Sequence, residues 1–156
     1  MTARADSFST TLRAAAAAIA LMPLLLVAAC SSGASPAPAI TVTNAWVRPA
    51  PAGAETAAYL DIANGGSPDA LIGATSPVAE SAMLHATSTD ASGMTGMSMV
   101  DSVPLPAGGS TTLTPGGTHL MLTGLTRELV SGGTVELRLT FQHAGTVVVS
   151  AVVRPG

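Results

Sequence analysis

The chain has 156 residues, a single cysteine, and six basic against nine acidic side chains, for a net charge of −3. That length fits one ordinary domain with a core of its own. Without a basic cluster it lacks the electrostatic footprint of a nucleic-acid binder, so nucleic acid is excluded as a partner.

The first element is a targeting segment. Arg4 and Arg13 precede an apolar stretch from Ala14 to Ala29, broken only by Pro23. A basic start, an apolar run of this length and small residues at its end describe a secretory signal peptide, here residues 1–29, rather than a spanning helix. The segment Leu25-Leu26-Val27-Ala28-Ala29-Cys30 resembles a bacterial lipobox, which implies that Cys30 becomes the lipidated first residue of an exported protein. The protein is then expected to be anchored to the cell membrane by its lipid, facing the periplasmic or extracellular side. Multiple acyl chains on Cys30 would hold stably where one alone binds only marginally. Residues 30–39 form a flexible tether, small, polar and proline-containing, and residues 40–156 form the domain. After cleavage the chain keeps four arginines (Arg48, Arg127, Arg138, Arg154), no lysine and eight of its nine acids, a balance of −4. It has no second cysteine, so its stability must come from packing rather than from a disulfide.

From Ile40 onward, short apolar segments alternate with glycine, proline, serine and asparagine at intervals of roughly ten residues, which predicts an all-β sandwich or barrel. The expected strands are Ile40–Val47, Thr56–Ala63, Ala70–Ser76, Ala79–Thr87, Ser110–Thr114 and Thr118–Leu122, followed by a closing hairpin. The first arm of that hairpin, Thr134–Phe141, has period two, with Val135, Leu137, Leu139 and Phe141 on one face. His143-Ala144-Gly145 turns the chain, and the valine-rich segment from Gly145 to Val153 returns. His143 reads as a solvated turn residue. Asp61, Asp69, Glu80, Asp90 and Asp101 read as solvated loop or strand-face residues, and no serine, cysteine or paired-carboxylate arrangement supports catalysis, so an enzyme is not expected.

The chemistry lies in methionine and histidine. Outside the signal segment there are five methionines, Met83, Met94, Met97, Met99 and Met121, all inside one window that also holds His85 and His119. Methionines filling a core would be scattered over the domain. Thioether sulfur is a soft neutral donor and imidazole a borderline one, so this set without a thiolate favours copper(I) over zinc, calcium or magnesium. In a strand, residues i and i+2 share a face about 7 Å apart, so His119 can converge with Met121, Met97 with Met99, and Met83 with His85, while Leu120 and Leu122 face the core. The glycines of Ser92-Gly93-Met94-Thr95-Gly96-Met97-Ser98-Met99 suggest a loop. Met83 reads as a core filler and is left outside the ligand set. A blue-copper electron-transfer centre would require a cysteine thiolate, which the mature chain lacks.

His85 is followed by eleven residues, Met97, twenty-one residues, His119, one residue and Met121. This order resembles the periplasmic copper-chaperone family PCu(A)C, in which the first gap is about one residue shorter. Asn44-Ala45-Trp46-Val47-Arg48-Pro49, Ala57-Ala58-Tyr59-Leu60-Asp61-Ile62, Leu105-Pro106-Ala107-Gly108-Gly109 and the run from Pro115 to Leu125 are also similar to that family's pattern. The resemblance implies a cupredoxin-like Greek-key β fold that binds copper(I) at an exposed end. It also implies delivery to an acceptor protein, a cytochrome c oxidase subunit with its binuclear copper centre or another copper chaperone. Carried over residue by residue, the ligands are His85, Met97, His119 and Met121, with Met94 and Met99 as alternatives to Met97 because of the longer gap. Two rival readings are a copper buffer or resistance lipoprotein with the same site, and a metal-free envelope interaction module in which the methionines only pack.

Overall fold

The period-two segment near the C-terminus sets the pattern for the whole chain. In the computed structural model, which describes residues 39–156, Val135, Leu137, Leu139 and Phe141 are buried, and the residues between them are exposed or half-exposed. Ten strands follow in order: β1 (Ile40–Val47), β2 (Thr56–Asn64), β3 (Asp69–Thr75), β4 (Ala79–Thr89), β5 (Thr95–Met99), β6 (Val103–Leu105), β7 (Ser110–Leu113), β8 (Thr118–Leu125), β9 (Thr134–Phe141) and β10 (Gly145–Val153). The all-β expectation is met. Residues 1–38, with Cys30, the predicted signal segment and nearly all of the tether, lie outside the described residues.

The strands form one hydrogen-bonded path in the order β5-β4-β8-β2-β1-β10-β9-β3-β6, with β7 also paired to β2. Only the three hairpins β1–β2, β4–β5 and β9–β10 join sequence neighbours along this path. The other pairings are long returns, and β1 meets β10 in parallel. The path is open, ending on β5 and β6. Leu60, Ile62, Leu71, Leu84, Leu105, Leu113, Leu120, Leu122, Leu137, Leu139 and Phe141 are almost wholly removed from solvent and form one core. Each fully buried side chain of this kind contributes roughly 1.5–3 kcal/mol. Among the described residues, this core and the half-buried side chains packed against it contain no methionine.

Two strands depart from the expectation. The segment read as a glycine-rich loop is the strand β5, paired with β4 from His85↔Met99 to Thr89↔Thr95. The reason is local: Gly93 lies in the connecting turn with φ +83°, and the strand proper begins two residues later. Because all of β5 is exposed, it carries no alternation by which its period could be read. Strand β6 is three residues long, too short for a period, and its Pro104 is tolerated because β6 ends the sheet.

Asp69 is a further correction. Read as solvated, it is 7% exposed and holds the β9–β10 turn. Its Oδ1 accepts from the backbone N–H of Ala70 at 2.8 Å and of His143 at 2.9 Å, and its Oδ2 accepts from Ala144 N–H at 2.9 Å. Burial opposes its ionisation, but the three N–H donors outweigh this and hold its carboxyl below the ordinary value. His143 itself is exposed in the turn, as read.

Candidate metal centre

Strands β4 and β8 run antiparallel with Met83 opposite Met121, Leu84 opposite Leu120 and His85 opposite His119. Leu84, Leu120 and Leu122 point into the core. Strand alternation therefore turns Met83, His85, His119 and Met121 to the other face of the sheet. On the far side of β4, β5 places Met99 opposite His85 and Met97 opposite Thr87. Directly opposed residues share a face, so four methionines and two histidines stand on one outer face within neighbouring rungs. Each expected i, i+2 pair shares this face, but Met97 and Met99 open onto different depressions. Met94 is apart from them, in the β4–β5 turn and 71% exposed. Met83 is not a core filler: it is half-exposed on the outer face.

His119 is the most constrained of the six, at 4% exposure. Its Nδ1 lies 3.1 Å from the carbonyl oxygen of Gly117. A carbonyl can only accept, so this bond requires the Nδ1–H tautomer and leaves the Nε2 lone pair free, which is how ligating histidines are commonly oriented. The rings of His119 and His85 meet edge to face with centroids 5.9 Å apart. The Nδ1 of His85 is buried and has no hydrogen-bond partner. A buried polar atom without a partner calls for an explanation such as an ion.

A depression of about 540 Å³ opens over this face, lined by His119, Met121, Met97, Tyr59, Arg48 and Glu55 among others. Met97 therefore shares a cavity with His119 and Met121. Met94 and Met99 do not, each lining a separate depression. Among the described residues, no three His, Cys, Asp or Glu side chains come together as a metal cluster, so a metal on this face would rely on thioethers. Two thioethers and two imidazoles are a neutral set suited to a soft monovalent ion.

Sequence reasoning gave no role to the aromatic flank of the site. Tyr59 on β2 stands 6.2 Å from the His119 ring and 4.5 Å from Trp46 on β1, centroid to centroid. Arg154 lies 4.3 Å over the Trp46 ring and Arg48 lies 5.8 Å over that of Tyr59. This stack is buried although it lies outside the main core cluster, and it walls off one side of His119. The available signal was that Trp46 and Tyr59 are the chain's only tryptophan and tyrosine.

The comparisons with known proteins bear on this arrangement. The family described as "Putative lipoprotein LpqE-like" matches residues 40–153, which is the whole sheet. The chain belongs to the LpqE-like family, which is of the PCu(A)C type. One relative of this LpqE-like chain is the "Putative lipoprotein Lxx21020" of Leifsonia xyli subsp. xyli, 38% identical over 74% of this chain and 69% of that protein. Among solved structures, copper(I)-bound DR1885 of Deinococcus radiodurans is 38% identical, covering 80% of this chain and 83% of that one, with a TM-score of 0.57. The copper-bound PCu(A)C domain from PmoF2 is 28% identical and covers 75% of this chain and 93% of that one, with a TM-score of 0.61. The cupredoxin-like fold expected from the resemblance is thus the fold of the family.

Proposed function

We propose that this LpqE-like protein is an exported, lipid-anchored copper(I) chaperone whose cargo is held by His85, Met97, His119 and Met121. The observation that carries the reading is the segregation of the methionines: among the described residues none packs in the core, and four share one outer face with two histidines. Packing alone does not explain thioethers placed where water reaches them. Copper binding by DR1885 and by the PmoF2 domain supports the same chemistry here.

The site suits carriage rather than electron transfer. Thioethers are neutral, so copper(I) binds to them without releasing a proton from sulfur, and the ion is exchanged by replacing ligands one at a time. Met97 is 60% exposed on an edge strand, so it is the most accessible ligand of the set. The acceptor in this reading is the binuclear copper centre of cytochrome c oxidase, or a chaperone that supplies it. Cys30 supplies the anchor, and the tether of residues 30–39 holds the sheet off the membrane.

The test is oxidase activity in a strain lacking this protein, grown with limiting copper. The proposal expects low activity, restored by the wild-type gene but not by His119→Ala, and recovered when copper is added to the medium. Normal activity in the deletion strain at limiting copper would remove the delivery role and leave copper buffering.

A further inference from the structure

Two methionines on the outer face are not used by the ligand set above. Met83 lies two residues before His85 on β4, and Met99 lies directly opposite His85 on β5. Both line a second depression of about 210 Å³, together with Ile72, Gly73, Ala82, Leu84, Val100 and Asp101. His85 lines neither depression but stands between them. On one side its cross-strand neighbour is Met99, on the second depression, and on the other it is His119, on the first. Its buried Nδ1 has no partner in the protein. Met83 does not pack into the core, and Met99 is 65% exposed, so packing accounts for neither.

Resting on the copper(I) reading of the face, we infer that Met83, Met99 and His85 form a second copper(I) seat that shares its histidine with the first. The spacing suits this. Cross-strand partners lie about 5 Å apart and same-strand i, i+2 residues about 7 Å apart, distances that unbranched methionine side chains span. The two seats hold one ion in turn. The ion leaves His119, Met121 and Met97 as its bonds to the Met83 and Met99 sulfurs form, and it keeps His85 throughout. Copper stays in the +1 state, and no proton or electron moves, because every ligand exchanged is neutral. Met99 is 65% exposed on β5, which ends the sheet path among the described residues, so an ion that has moved to the second seat is open to an acceptor there.

The experiment is an anaerobic copper(I) titration of the protein against a chromophoric chelator, using wild type, the double variant His119→Ala/Met121→Ala, and a quadruple variant that adds Met83→Leu/Met99→Leu. The expected result is one-to-one binding by wild type, one-to-one binding by the double variant weakened at least about tenfold, and none by the quadruple variant. A quadruple variant that binds as tightly as the double, or a double variant that is folded and binds nothing, would overturn the second seat while leaving the first intact. Failure of wild type to bind would instead overturn the copper reading itself and the second seat with it. Should the double variant not fold, Met83→Leu/Met99→Leu in the otherwise native chain decides. Stopped-flow release to excess chelator should then slow at least about tenfold at unchanged affinity, and an unchanged release rate contradicts the second seat.

Discussion

His119 is where local structure and chemistry meet most tightly. The Pro115-Gly116-Gly117 turn, with Gly116 at φ +77°, brings the Gly117 carbonyl to His119 Nδ1, so the turn that starts β8 also fixes the tautomer of its first histidine. Replacing His119 by alanine should weaken copper(I) binding at least about tenfold. By leaving the Gly117 carbonyl without its partner, it should also cost about 1 kcal/mol of stability, measurable by denaturant unfolding of the apo protein. The methionines of the β4–β5 turn and of β5 separate by the same logic. Met97→Leu should weaken binding, while Met94→Leu should leave affinity unchanged because Met94 lines a different depression. Competition titration reads both. The composition and order of this site were legible in the sequence, because i, i+2 pairs in a strand must share a face. The cross-strand neighbours of His85 were not, since register between β4, β5 and β8 is a property of the assembled sheet.

At the level of elements, two of the three hairpins are held by carboxylates that accept backbone N–H groups. Asp90 Oδ1 accepts from Ser92 N–H and Met94 N–H, both at 2.9 Å, and from Ser92 Oγ–H at 2.6 Å, closing the turn that presents β5. Asp90→Ala should fray the hairpin, raising amide exchange from Thr95 to Met99 and weakening copper(I) binding through Met97. Asp69 does the corresponding work at the β9–β10 turn. Because its carboxyl is held below the ordinary value near 3.8, it stabilises the fold above that pH, and the contribution is lost as pH falls through its folded value. Asp69→Asn should therefore lower the melting temperature at pH 7 and flatten the acid limb of the stability profile. The eight expected strands all form, and β9 and β10 show the signal most plainly, β9 as a buried apolar alternation and β10 as a valine run. Strand β5 was invisible because it is wholly exposed, and Asp69 looked solvated because its partners are backbone groups 74 and 75 residues away in sequence.

For the whole molecule, the division of labour between faces matters most. The aliphatic core supplies the stability, and the outer face is free to carry polar and thioether side chains. Leu137→Ala, at a fully buried position far in sequence from the ligands, should cost roughly 2–5 kcal/mol. It should leave the copper(I) affinity of the folded fraction unchanged. Binding at the outer face should in turn raise the melting temperature with copper(I) concentration, since a ligand held only by the folded state stabilises it by mass action.

Copper(I) as the cargo of the methionine face is tested most directly by a competition titration of the wild-type protein with copper(I) and a chromophoric chelator, under reducing and anaerobic conditions. The wild-type protein should bind a single ion tightly, with zinc and magnesium failing to compete. Copper(I) passing entirely to the chelator at every protein concentration would contradict it and leave the methionine face without a cargo.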